Sequence, residues 1–107
     1  MITKNPVYSF QTKYSKYNVA LSFNQYRNGR TQIELLDVDE PGSCVMIATV
    51  NLDDVPLEDG EIIIKDYSEN EGVLDFLVQN GIVSRPKRWI STGWVTCPVV
   101  DLLIKPY

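Results

Sequence analysis

An asparagine–glycine pair, Asn28-Gly29, lies between two runs of alternating apolar and polar residues, and no other feature constrains the fold of this chain as tightly. From Tyr17 the chain puts Tyr17, Val19, Leu21 and Phe23 on one parity and mostly polar residues on the other, the pattern of a half-buried strand. A second run, Thr31 to Asp39, follows the pair. Asn-Gly accepts the positive backbone angles of a tight hairpin turn at little cost, so the spacing predicts a hairpin with its tip at Asn28-Gly29.

Further strands follow from the same reasoning. Glu40-Pro41-Gly42 is a turn, and Cys44 to Val50 is an almost unbroken apolar run that predicts a strand covered on both faces. Val7 to Lys13 and Ile62-Ile63-Ile64 offer two edge strands. Trp94 to Val100 alternates like a strand, with Pro98 marking an edge, a bulge or a strand end because proline brings no amide donor. One helix is expected over about residues 69–80. Ser68 and Glu71 have capping-box spacing, Val73, Leu74, Phe76, Leu77 and Val78 form an apolar stripe, and Asn80-Gly81 is a left-handed stop. Gly72 interrupts that helix at a cost of up to about 1 kcal/mol against alanine. The expected class is α+β: a mainly antiparallel sheet of about five or six strands with one helix packed on it. Residues 1–107 read as a single domain, since no linker or repeat divides them.

The chain contains no histidine, which removes the usual general base and the usual metal ligand, along with every Ser-His or Cys-His pair. Cys44 and Cys97 match no zinc spacing and read as buried free thiols. No segment approaches the roughly 20 apolar residues of a membrane span and the start has no apolar leader, so a cytoplasmic protein without membrane contact is expected. Neither a cofactor nor a metal is implied.

Charge is segregated along the chain. Residues 1–33 carry +5, residues 34–75 carry −12 and residues 76–107 carry +3, within a net charge of −4. The acids cluster near expected turns, as Asp37, Asp39 and Glu40, then Asp53 and Asp54, then Glu58 and Asp59. None reproduces a calcium-loop order. As an acidic surface these seven residues could imitate nucleic-acid phosphates and occupy the basic groove of a partner protein; on separate turns they are simply a solvated face. A second set, Arg85, Lys87, Arg88, Trp89 and Trp94, makes a protein-contact hot spot if the tryptophans are exposed and only core filling if they are not. The N-terminal third combines Lys4, Lys13, Lys16, Arg27 and Arg30 with Tyr8, Tyr14, Tyr17 and Tyr26, the ingredients of single-stranded nucleic-acid binding.

Tyr67 to Gly72, Gly81-Ile82-Val83, Gly93-Trp94-Val95 and Pro98-Val99 resemble a set of small proteins carried by phages and conjugative elements of Gram-positive bacteria. The resemblance brings no catalytic residue with it. It implies an accessory factor, of the kind that blocks a host defence nuclease. Together these readings lead to the expectation of a non-enzymatic binding protein that inhibits a host factor through protein–protein contact at its acidic surface. The alternative is a nucleic-acid-binding module built on the basic, tyrosine-rich N-terminal third.

Overall fold

The alternating run forms β2 (Lys16–Gln25) in a computed structural model that describes residues 6–105. It pairs antiparallel with β3 (Thr31–Asp37), setting Val19 opposite Asp37 and Phe23 opposite Ile33. Between them the tip is a three-residue loop. Tyr26 N–H donates to Arg30 O, Gly29 N–H donates to Tyr26 O, and Gly29 takes φ +86°. A type I turn closed by a left-handed glycine is the three-residue hairpin solution, so the expected tip forms with one residue more than the shortest turn. β1 (Tyr8–Gln11) adds to β2 and β4 (Cys44–Ile47) to β3, giving a four-stranded meander in the order β1-β2-β3-β4.

β5 (Glu61–Ile63), β6 (Arg88–Ser91) and β7 (Thr96–Asp101) make a separate antiparallel sheet in the order β5-β7-β6. The class is therefore α+β and antiparallel, with seven strands divided between two sheets where the sequence suggested one. The division occurs where β4 stops. Ala48 still donates its N–H to Ile33 O of β3 while its carbonyl accepts Lys65 N–H, and from there the chain runs beside β5, with Thr49 bridging Ile64 and Val50 N–H donating to Ile63 O. The apolar run at Cys44–Val50 is thus an edge strand followed by a crossover. Its first residue corrects the sequence reading, because Cys44 is exposed while Cys97 is buried; both thiols are free.

Pro98 lies in β7, the central strand of its sheet. Ile64 N–H donates to Pro98 O, but proline has no amide to return, and the β5 ladder ends one residue earlier at Ile63–Val99. None of the three expected places holds, because Pro98 lies inside the central strand; it is tolerated there because the β5 ladder stops at Val99, so its missing amide leaves no ladder bond unmade.

The helical stretch comes in two pieces. A 3-10 turn, Ser68–Asn70, precedes α1 (Val73–Gln79), and between them Gly72 takes φ +99° as the residue that begins α1. The expected capping box does not form, since no side chain of the turn caps either helix and Ser68 itself sits at φ +55°. Asp66 does the work instead: its carboxylate accepts Gly72 N–H at 3.0 Å and Leu74 N–H at 3.1 Å. Gly72, a flaw in one continuous helix, is the hinge that two pieces require.

One core lies between the sheets and α1. Phe10, Val19, Leu21, Ile33 and Leu35 from the meander meet Ile62, Ile64 and Val100 from the small sheet and Val73, Leu74, Phe76 and Leu77 from the helix. The Phe76 ring stands 4.7 Å from Phe10. The opposite face of the small sheet is covered too, as Ile63, Cys97 and Val99 pack under Leu52, Val55 and Leu57 of the long loop before β5. Burial on both faces explains why Ile62-Ile63-Ile64 does not alternate.

Candidate functional site

The loop over residues 51–60 carries the acidic side chains, and its own apolar residues decide which way they face. Leu52, Val55 and Leu57 point into the second core, and Val55 N–H closes a turn on Leu52 O, so Asp53 and Asp54 project outward as exposed side chains. The hairpin tip anchors this turn. The Asn28 amide donates to Asn51 Oδ1, and the Arg30 guanidinium donates to Leu52 O at 2.7 Å and also to Val55 O. Arg30 is thereby a structural clamp.

Further along, Glu58 and Asp59 precede Gly60, which turns the chain into β5 at φ +83°. Asp53, Glu58 and Asp59 line one open concavity of about 400 Å³ together with Asn28, Gly29 and Arg30. Among the described residues Asp53, Asp54 and Asp59 form no ion pair, and Glu58 has only a 3.9 Å contact with Lys87. Four of the seven acids singled out from sequence therefore share one loop. The other three do not join them. Asp37, the last residue of β3, and Asp39 and Glu40 just after it lie at the opposite end of that strand, about 20 Å away. There Asp37 Oδ1 accepts Asp39 N–H at 2.9 Å and Asp39 Oδ2 accepts the Asn18 amide at 3.0 Å, so these two carboxylates build a turn.

The basic and aromatic set also divides. Lys87 and Arg88 converge on Glu61, a carboxylate 3% exposed at the start of β5. Arg88 forks onto it at 2.9 and 3.0 Å, Lys87 Nζ stands 2.8 Å away, and Glu58 N–H donates to it at 2.9 Å. These bonds, chiefly those from Arg88 and then Lys87, hold the Glu61 carboxyl well below the usual carboxylate range and raise both cations. Lys87 also meets Asp101 at 3.2 Å. Glu61 closes the Glu58-Asp59-Gly60-Glu61 run of acids but is not one of the seven expected at the surface, and its parity matches Ile63, which faces the second core. Arg85 is exposed. The tryptophans do not fill the core: Trp89 is 56% and Trp94 95% exposed, the latter at the tip of the β6–β7 hairpin.

The N-terminal tyrosines are mostly engaged in the fold. Tyr8 stands edge-on to Phe76, Tyr17 packs against the core and the Tyr26 hydroxyl lies 2.9 Å from Thr49 Oγ1. Tyr14 is 81% exposed beside Lys13, and Lys4 lies outside the described residues. Neither thiol is poised as a nucleophile. Desolvation, helped by Glu34, pushes Cys44 up to about 11, and burial raises Cys97. Among the described residues no group of three or more acids or cysteines could hold a metal ion, and no helix is long and apolar enough to cross a membrane.

No protein family, curated protein or solved structure matches this chain.

Proposed function

We propose that this chain is a non-enzymatic binding protein whose acidic loop, Asp53 to Asp59, docks in a basic groove of a partner protein. The observation that carries the reading is the set Asp53, Asp54, Glu58 and Asp59 on one clamped loop, three of them without any cation among the described residues. Carboxylates that are fixed and unpaired keep their field for an incoming partner, and a groove evolved for phosphates responds to a dense row of negative charge. The resemblance to small proteins of phages and conjugative elements makes a host nuclease the partner class of choice. Asp37, Asp39 and Glu40, at the far end of β3, take no part in this contact.

The test is a pull-down from bacterial lysate with the tagged chain and with the Asp53→Asn/Asp54→Asn/Glu58→Gln/Asp59→Asn variant, washed at low and high salt. The reading expects one nucleic-acid-binding protein to be captured by the unaltered chain, lost at high salt and absent from the variant. Equal capture by both chains refutes it.

A further inference from the structure

We infer that two copies of this chain associate through the outer edge of β6, forming a two-fold symmetric dimer in which the small sheets join. β6 is the outermost strand of its sheet. Thr92 N–H donates to Val95 O, which sets the phase of the β6–β7 ladder: Ile90, opposite Cys97, bonds inward, and the main-chain groups of Trp89 and Ser91 point away from β7. Among the described residues no main-chain bond outside that ladder uses them. They form an open template for another strand.

Other edges are closed or unremarkable. The outer side of β4 is met by the buried Asn70, whose amide donates to Ile47 O at 2.7 Å, and β5 is flanked by residues 48–50. β1 presents exposed Ser9 and Gln11. Proteins usually guard an open edge with a lysine or arginine that any incoming strand would have to desolvate. In β6 that guard is turned aside, because Lys87 and Arg88 are held on Glu61. What the edge shows to solvent is indole.

A second copy fits this edge in one register that uses every open group. With the two-fold axis through Ile90, Trp89 lies opposite Ser91 of the second copy and the reverse, so both outward residues of each chain exchange a full pair of hydrogen bonds. Each large ring then meets a small side chain, and Arg88 falls opposite Thr92, so no like charges are opposed. The area is adequate for a reversible contact. At their observed exposure Trp89 and Trp94 offer roughly 300 Å² per copy, or about 600 Å² for two. That is a third to a half of a standard interface, and the paired strands and their flanks add the rest. The dimer does not use residues 53–59, so it stands apart from the acidic-loop reading.

The test is sedimentation velocity on the purified chain alone across the micromolar range. The mass is expected to rise with concentration from 12.2 kDa toward twice that value. Ser91→Pro removes one outward amide and leaves the β7 ladder intact; Trp89→Lys restores a guarding charge. Each should weaken dimerisation at least about tenfold, with an unchanged circular dichroism spectrum. A chain that remains at 12.2 kDa throughout, or dimerisation that is equally strong in both folded variants, overturns the proposal. If either variant unfolds, hydrogen exchange on the unaltered chain decides. Protection of the Trp89 and Ser91 amides must grow with concentration, and constant protection overturns the proposal.

Discussion

Replacing Glu61 with glutamine tests the account of the buried charge cluster. The substitution keeps the volume of a side chain that is 1% exposed, but puts a donor amide where a carboxylate accepts from Arg88, Lys87 and Glu58 N–H. Breaking a buried ion pair costs about 3–5 kcal/mol. The side chains of Lys87 and Arg88 are 35% and 42% exposed and can turn to water, so the lower end applies. About 3 kcal/mol at pH 7 is expected for Glu61→Gln, or roughly 12–18 °C in Tm for a domain of this size. The effect has a definite pH dependence. Because the folded Glu61 carboxyl titrates below its unfolded value, its contribution is complete above about pH 5 and fades as pH falls through about 4.3 toward the folded value. Urea unfolding of both chains should therefore show a gap that is flat from about pH 6 to 9 and narrows in acid. A gap under about 1 kcal/mol at pH 7, or one that does not narrow below about pH 4, refutes the argument.

Other substitutions probe the joints of the fold. Asp66→Ala removes the acceptor for Gly72 and Leu74 amides and should cost about 1–2 kcal/mol by denaturant titration, whereas Ser68→Ala should cost under about 0.5 kcal/mol. Asn70→Leu leaves Ile47 O without its donor in a buried site, and about 1–3 kcal/mol should be lost. Cys44, though exposed, should alkylate about tenfold more slowly than an unperturbed thiol at neutral pH, because its pKa is pushed up to about 11 and the greater nucleophilicity of the rarer thiolate offsets part of that loss; Cys97 should react only on unfolding.

What the sequence disclosed follows the reach of each signal. The β2–β3 hairpin is a contiguous pattern, alternation on both sides of Asn28-Gly29, and it was legible at once. The helix stripe was legible for the same reason, but its cap was not: Asp66 reaches over six and eight residues, and capping-box spacing looks only three back. The division into two sheets was hidden because the crossover at Ala48–Val50 lies inside a continuous apolar run. At the candidate site, the exposure of Asp53 and Asp54 follows from the loop residues that face inward between them. The loss of Lys87 and Arg88 as free cations could not be read, since it depends on Glu61 about 27 residues earlier in the chain. Trp89 and Trp94 were ambiguous because tryptophan serves cores and contacts equally well, and strand order decides between the two.

Strand order also bears on how the molecule comes together. Each strand of the meander pairs with its neighbour in sequence, whereas β5 must wait for β7 across about thirty residues that include α1 and β6. Substitutions in β2 and β3 should therefore slow folding, and those in β5 and β7 should chiefly accelerate unfolding. The small sheet carries the Glu61 cluster and the open β6 edge and supports the acidic loop, so on this folding order the surfaces of both binding readings should be the last to close and the first to open, as hydrogen exchange would show.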